Sequence, residues 1–404
     1  MPAMSLFLHG HATHPDWRMA LALAAAQVEA QRAAAGGAAP TLGWLYFTEP
    51  YAGEAALLLA DAQARWPGVA WVGASGIGVC ASGVEYFDEP GLVVMLGALP
   101  PEDFRVFSGA RPLGSFAAAT AQVHADGATA DLDELVAEMA ARTATGYLFG
   151  GLASARNRSH HLADGVFTGG LSGVAFSERV ALVSRVTQGC QPVGPVRTVT
   201  QAERNLALTL DGEAALDCLL GDLDIAALAP REALPRLQGT LVGLSDARAD
   251  ALSRPGQFGT DTRVRHIVGF DPSRRGLAIA APVADGMQIA FCQRNTAAAR
   301  RDLVRICAEI REELEPETMP LATALAVRGG ETGGAAHPAR GIAGAVYVSC
   351  SGRGGPHFGG PSAELAIIRH ALGEVPLAGF FAAGEIAREH LYGYTGVLTV
   401  FAVR

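Results

Sequence analysis

The sequence contains no lysine, since all 31 of its basic residues are arginines. A lysine amine is needed for a Walker-type phosphate loop, for a Schiff-base catalyst and for a kinase active site. This chain therefore cannot form any of these sites without a partner chain. The net charge of −9 argues against a general surface for nucleic acid or for anionic membranes.

Paired cysteines and long apolar runs are also missing. The six cysteines lie singly, with no C-x-x-C pair, which favours reduced thiols in a cytosolic protein. No segment offers the roughly 18 uninterrupted apolar residues of a membrane span, and no basic segment precedes the short apolar run near the N-terminus. We therefore expect a cytoplasmic protein with no nucleic-acid or membrane partner.

A repeated unit is present instead. Gly73 and Gly78 stand five residues apart, as do Gly379 and Gly384. Each pair follows a short apolar strand and an amphipathic helix, and each precedes a further strand. A weaker third copy runs over 131–176. These β-α-β-β units predict an α/β (α+β) fold with mixed sheets, arranged as two pseudo-symmetric halves.

The repeats also suggest a division of the chain. We assign 1–39 to an N-terminal extension with a helix, 40–232 to a first domain and 233–404 to a second. Within the second domain, two apolar strands flanking a turn predict a hairpin over 277–293, and an amphipathic pattern predicts a helix over 296–314.

The first candidate site is a glycine-rich loop between a predicted strand and a predicted helix. It contains Cys350, Ser351, Gly352 and Arg353. Backbone N–H groups, the positive end of the following helix and the Arg353 guanidinium suit a carboxylate or a phosphate. The dinucleotide fingerprint is absent, because His357 stands where it requires its last glycine. A glycine-rich surface turn is the alternative.

Glu385 is unusual because it follows Gly384 inside an apolar segment, where Val79 stands in the first copy. A lone carboxylate in such surroundings costs free energy unless it is paired, so we expect either an arginine of the chain or a ligand amine beside it. Cys350, His357 and Glu385 also have the composition of a nucleophile, base and orienting carboxylate. A thiol at a strand end is more often a small buried side chain.

Histidines supply further candidates. His9, His11 and His14 form H-x-H-x-x-H, a spacing that could hold a metal, although we expect a frayed, solvated terminus there. His160 or His161 could ligate a haem iron. Such a haem would be non-covalent, because the sequence has no C-x-x-C-H motif.

With these residues in hand, the chain resembles FIST-domain proteins, named for F-box and intracellular signal transduction proteins. The matching segments are Gly73–Gly78, Gly150–Ala153, Val166-Phe167, Gln191–Gly194, Val199-Thr200, Ala214–Leu216, Cys350–Arg353 and Gly379–Ile386. The resemblance implies a FIST N-like region at 40–232, a FIST C-like region at 233–404, and a sensory module that binds small molecules such as amino acids. Ser154-Ala155 stand where the family often has an acidic residue.

Three hypotheses follow. The first is a cytosolic small-molecule sensor in signal transduction, whose amino-acid-like ligand lies between the two halves with its carboxylate on Arg353 and its amine on Glu385. Its expected ligand-binding residues are Gly73, Ser75, Gly78, Gly151, Cys350, Ser351, Gly352, Arg353, Gly384 and Glu385.

The second hypothesis, implied by the resemblance, is a haem-dependent nitric oxide sensor that acts on a separate kinase. The third is an enzyme built on Cys350. No catalytic motif occurs, so we expect no enzymatic activity and, for the leading hypothesis, no cofactor. Because the FIST regions use nearly the whole chain, we expect a separate signalling protein to receive the output.

Overall fold

A computed structural model describes residues 7–35, 39–225, 228, 230–245, 262–314 and 341–403 of the chain. Its helices are α1 (Trp17–Ala35), α2 (Ala55–Arg65), α3 (Leu132–Ala141), α4 (Ala215–Asp222), α5 (Pro230–Gln238), α6 (Thr296–Leu314) and α7 (Ala363–Leu372). Helices and strands are combined in mixed sheets, which confirms the predicted α+β class.

The strands of the first half of the chain are β1 (Phe7–Thr13), β2 (Leu42–Thr48), β3 (Ala70–Gly76), β4 (Gly78–Ala81), β5 (Val84–Phe87), β6 (Gly91–Gly97), β7 (Phe104–Phe107), β8 (Thr120–Asp126), β9 (Tyr147–Ala153), β10 (His161–Ala163), β11 (Val166–Phe167), β12 (Leu171–Phe176) and β13 (Leu182–Gln188). Those of the second half are β14 (Cys190–Pro192), β15 (Arg197–Glu203), β16 (Leu206–Leu210), β17 (Glu213–Ala214), β18 (Thr240–Ser245), β19 (Arg263–Asp271), β20 (Gly276–Ile279), β21 (Gln288–Arg294), β22 (Ile342–Cys350), β23 (Leu377–Ala382), β24 (Glu385–Ala387), β25 (His390–Tyr392) and β26 (Thr395–Ala402).

The chain divides into two compact units. The first comprises the described residues of Met1–Thr187, Leu303–Leu391 and Thr395–Arg404, and the second those of Gln188–Asp302 and Tyr392–Tyr394. The division that the sequence suggests at 232–233 falls within α5 and stays a prediction from sequence.

In the first unit, one β-α-β-hairpin-β module occurs three times. Module 1 is β2, α2, β3, the hairpin β4–β5 and β6; module 2 is β8, α3, β9, β10–β11 and β12; module 3 is β22, α7, β23, β24–β25 and β26. In every module the two strands around the helix are parallel, and the last strand is antiparallel to the first. The repeat predicted from the glycine spacing is therefore confirmed, including its weaker third copy.

Each module places its hairpin in the sheet of another module. Strand β4 pairs with β23, β10 pairs with β3, and β24 pairs with β9. The result is three six-stranded sheets, each completed by a neighbouring module. This exchange links the modules in a closed cycle, so strand pairing itself holds the first unit together.

Gly73, Gly150 and Gly379 occupy equivalent positions on the second strand of each module. At all three, a Cβ atom would overlap the carbonyl oxygen of the facing residue on the first strand. Glycine is therefore required by the close approach of two backbones, and the position of Gly73 is explained by packing.

The N-terminal histidine segment is an ordered strand, so the expected frayed terminus is wrong. Strand β1 pairs with β6 along its whole length, and α1 covers its outer edge. The side-chain amides of Gln31 and Gln27 exchange hydrogen bonds with the main chain of His9 and His11, respectively, at 2.6–3.2 Å. Glutamines on one helix face thus satisfy backbone groups that an edge strand would otherwise expose.

The second unit is built on an antiparallel barrel. Its strands follow the order β21-β15-β16-β20-β19-β18, and β18 closes the ring by pairing with β21. The hairpin predicted over 277–293 is wrong, because β20 pairs with β16 and β19 while β21 pairs with β15 and β18. Barrel closure supplies β21 with partners distant in sequence, which a local turn pattern cannot indicate. The helix predicted over 296–314 is confirmed.

Candidate ligand-binding site

Ser154 joins the carboxyl ends of β3, β9 and β23, where the three modules of the first unit meet. Its N–H donates to the carbonyl of Ser75 at 3.1 Å. Its Oγ accepts from the N–H of Ile77 at 2.9 Å and donates to the carbonyl of Phe381 at 2.5 Å. Sequence reasoning noted Ser154 only as a departure from the family pattern and missed this connecting role, because the partners lie far apart in the chain.

Ser75 is hydrogen-bonded to the main chain of His160, a few residues after Ser154. Its Oγ accepts a 2.9 Å hydrogen bond from the N–H of His160, and its own N–H donates to the His160 carbonyl at 2.8 Å. Ser75, which the sequence predicts to bind a small ligand, and His160, which is a haem candidate, are therefore close together. The bonds between them are internal to the chain. Ser75 fixes the position of the loop that carries His160.

Gly78, Gly151 and Gly384 also lie in this junction. A Cβ on Gly78 would crowd Phe87 and Phe381, and a Cβ on Gly151 would crowd β22, β23 and the Gly384 carbonyl. The structure thus brings together the glycines expected to contact a ligand, and it assigns Gly78 and Gly151 a packing role between modules.

Arg353 is fully buried and paired within the chain. Its Nε and Nη2 donate to Glu364 Oε1 at 2.9 and 2.6 Å. The hydroxyls of Tyr347 and Ser349 donate to the same carboxylate at 2.6 and 3.0 Å. Burial alone would lower the pKa of Arg353, but the Glu364 charge outweighs it and raises the pKa, keeping the guanidinium charged. Holding a ligand carboxylate with Arg353, as the sequence suggested, would require breaking this pair.

Glu385 is buried at the start of β24. Its Oε2 accepts hydrogen bonds from the N–H and the hydroxyl of Thr395 at 3.1 and 2.6 Å. Burial raises the pKa of Glu385 to about 8, although the Thr395 bonds, the Arg353 charge and the Cys350 thiol each lower it. Thr395 thus gives Oε2 an internal partner, which helps to explain why a carboxyl group is tolerated in this buried position.

His161 occupies in module 2 the place that Glu385 occupies in module 3. Each stands on the first strand of its hairpin, one residue before the residue that pairs with Gly73 or Gly150, respectively, of the neighbouring module. It is buried, with Nδ1 2.5 Å from Ser172 Oγ and Nε2 3.0 Å from the Gly169 carbonyl. Both ring nitrogens are engaged, so His161 does not fit an axial ligand of haem. Burial lowers its pKa.

His160 differs from His161 because it lines a cavity. The crevice, of about 450 Å³, is bounded by Glu49, Ala52, Gly53, Ala55, Ala56, Asn157, Arg158, His160 and Val166. It lies where β2 ends and the chain enters α2, beside the hairpin of module 2. The carboxyl ends of parallel strands are common ligand positions in α/β sheets.

The equivalent place in module 3 is filled by the chain itself. There the N–H of Gly355 donates to Glu85 Oε1 at 3.1 Å, and the N–H of Glu85 donates to Ser362 Oγ at 3.0 Å. Phe87 packs against Gly354 in the same loop. The glycine-rich loop at Cys350–Arg353 therefore has the expected location at a strand end, but Arg353 and the aromatic side chain occupy the space.

Charged groups of opposite sign line the module 1 crevice. Glu49 Oε1 accepts from the N–H and Nδ2 of Asn157 at 2.9 and 3.1 Å, whereas Oε2 is 4.0 Å from Arg156. Arg158 is exposed and has no carboxylate partner among the residues that the structure describes. Burial and the Arg158 charge lower the pKa of His160, so its ring is neutral at pH 7. Its Nδ1 is buried and has no hydrogen-bond partner in the described ranges.

Sequence comparisons match two segments of the chain to the two domains of a known family. Residues 41–213 match the FIST N domain, and residues 215–388 match the FIST C domain. The chain is a member of the FIST family. It is similar to the uncharacterized protein Rv0628c of Mycobacterium tuberculosis, with 30% identity over 411 residues, covering 97% of this chain and 98% of the relative. It is also 30% identical over 410 residues to the uncharacterized protein Mb0898c of Mycobacterium bovis, covering 97% of each chain.

FIST domains are associated with sensing in signal transduction, which agrees with the function class that the sequence suggests. Across the described ranges of this FIST protein, no three histidine, cysteine or acidic side chains are grouped as metal ligands. None of the described helices is long and apolar enough to cross a membrane.

Proposed function

We propose that this FIST protein is a cytosolic sensor that binds a small amino-acid-like molecule in the module 1 crevice. The observation that supports the proposal is the presence of Glu49 and Arg158 on the wall of one cavity. A free amino acid carries a carboxylate for the guanidinium and an ammonium group for the carboxylate. The volume of about 450 Å³ lies within the range of small-molecule sites.

His160 links the crevice to the junction of the modules. Its side chain lines the crevice, while its main chain bonds to Ser75, whose carbonyl in turn accepts from Ser154. A ligand that bonds the neutral His160 ring would act on these main-chain bonds. This geometry supports sensing, since ligand binding and the contact between modules would share one loop. We propose that a separate signalling protein receives the signal.

The two alternative functions have less support. A haem would rely on His160, but Glu49, Asn157 and Arg158 place charged and polar groups among the apolar residues of the crevice wall, where a porphyrin face needs apolar contact. An enzyme built on Cys350 would need an accessible thiolate, whereas Cys350 is buried beside Glu385. We therefore propose a non-enzymatic sensor without haem, and added haemin should produce no Soret band.

Thermal unfolding in the presence of free amino acids tests the proposal. A ligand at a hundred times its Kd stabilises the folded state by about 2.7 kcal/mol, which raises Tm measurably. For each amino acid that raises Tm, its N-acetyl and carboxamide derivatives are the controls, because each lacks one of the two charges. We expect neither derivative to raise Tm. If a derivative stabilised the protein as much as the amino acid does, the charge that the derivative lacks would not be needed, and its proposed contact would be overturned. No response to any amino acid would overturn the ligand class.

A further inference from the structure

A second cavity in the first unit is lined by three arginines. This cleft, of about 1030 Å³, is lined by Glu102, Arg105, Pro112–Ala119, Ala141–Ala144 and Ser177–Arg179. It shares no lining residue with the module 1 crevice. Arg105, Arg142 and Arg179 lie on its walls, in a protein whose net charge is −9. Two glutamates share the lining, so the cleft has three arginines against two carboxylates, a small positive balance in an acidic protein.

Two of these arginines have no carboxylate partner in the described part of the chain. Arg105 lies over the Phe116 ring, 5.7 Å from its centroid. Arg142 makes a long 3.4 Å contact from Nη2 to the Gly114 carbonyl. Arg179, by contrast, is anchored through Nε to Asp103. A guanidinium stacked on a ring keeps its in-plane N–H groups available for an anion.

We propose that this cleft binds a phosphate monoester that carries a small apolar group. A phosphate offers three terminal oxygens and more than one negative charge, so it can accept from two guanidinium groups at once. A run of alanines, Ala117, Ala118 and Ala119, lines the cleft and gives an apolar ester group a surface to contact. Glu102 and Glu178 also line the cleft, and their carboxylates repel any ligand group that brings negative charge close to them.

Isothermal titration with phenyl phosphate tests this proposal, with inorganic phosphate, benzoate and phenol as comparison ligands. We expect phenyl phosphate to bind most tightly, inorganic phosphate and benzoate more weakly, and phenol not at all. Affinity should fall as salt is added, because the interaction is ionic. Absence of saturable heat with phenyl phosphate, or equal affinity for benzoate, would overturn the proposal.

Four variants locate the site. Arg105→Ala and Arg142→Ala should each weaken phenyl phosphate binding by about tenfold or more, as expected for loss of charge-assisted hydrogen bonds. Both residues are exposed, and circular dichroism checks that the variants fold. Arg65→Ala removes an exposed arginine of α2 that pairs with Asp61 and should leave binding unchanged. Arg158→Ala should also leave it unchanged, which separates this cleft from the module 1 crevice. A loss in either control equal to that in Arg105→Ala would overturn the assignment.

Discussion

The hydroxyl of Ser154 donates a 2.5 Å hydrogen bond to the carbonyl of Phe381, and the two residues are 227 positions apart in the chain. The same hydroxyl accepts from the N–H of Ile77, so one side chain satisfies backbone groups of two other modules. Polar backbone groups buried at a junction need such partners. Ser154 therefore adds a side-chain link between the three modules to the strand pairing of the exchanged hairpins.

Replacing Ser154 with alanine should destabilise the protein by about 1–3 kcal/mol, because buried backbone groups lose their partner. Urea unfolding of Ser154→Ala measures the loss. Ser115→Ala is the control, since Ser115 is exposed and should change the free energy of unfolding by under about 0.5 kcal/mol. Equal stability of the Ser154 and Ser115 variants would contradict the connecting role.

The Arg353–Glu364 pair gives a prediction that separates a structural role from a ligand role. Glu364→Gln should cost about 3–5 kcal/mol, because it leaves a buried guanidinium without its counter-charge. The matched control is Asp61→Asn, which breaks an exposed pair with Arg65 and should cost about 0–1 kcal/mol. If Glu364→Gln were as stable as the control but no longer bound an amino acid, the cluster would belong to the ligand site after all.

Glu385 should make stability depend on pH. Its pKa rises from the ordinary 4.5 to about 8 in the folded protein, so the folded state binds more protons than the unfolded state between these values. The stabilisation is complete below pH 4.5 and is lost as pH rises through about 8. Relative to the wild type, Glu385→Gln should therefore be more stable at pH 8 than at pH 5.5.

Urea titrations of both proteins at the two pH values provide this comparison. Using the difference between the proteins removes the contribution of histidines such as His124, whose pKa burial lowers to about 3. Ser115→Ala, which removes no titratable group from the exposed surface, is the control, and its difference from the wild type should not change with pH. The same result for Glu385→Gln would show that its carboxyl is not the titrating group.

Gly150 should not tolerate a side chain. A Cβ there would overlap the Val123 carbonyl, and neither strand can move without breaking the β8–β9 pairing. Gly150→Ala should therefore destabilise by about 3 kcal/mol or more, as overpacking does in severe cases. Gly109→Ala, at a glycine with open space around it, is the control for the measurement by thermal unfolding.

The sequence predicted the repeated unit because glycines at a close backbone approach must recur in every copy. It could not predict the exchange of hairpins, since β4, β10 and β24 find their partners in other modules. The same limit applies to the site. In the sequence, Arg353 stands out in a glycine-rich loop and Glu385 as a charge in an apolar segment. Their partners Glu364 and Thr395 depend on three-dimensional contacts.

His160 is a haem candidate in the sequence, and in the structure it lines the module 1 crevice. Glu49 and Arg158 gave no signal in the sequence, because single charged residues outside the apolar segments are common. Only the fold reveals that a residue following β2 and a residue preceding β10 line the same cavity.

The most direct test of the proposed sensor is isothermal titration of an amino acid that raises Tm. We expect saturable binding to the wild type and to Arg65→Ala, and a loss of about tenfold or more in both Glu49→Gln and Arg158→Ala, because each removes one charge that the ligand requires. Unchanged affinity in both crevice variants would contradict the assignment of the ligand to this crevice.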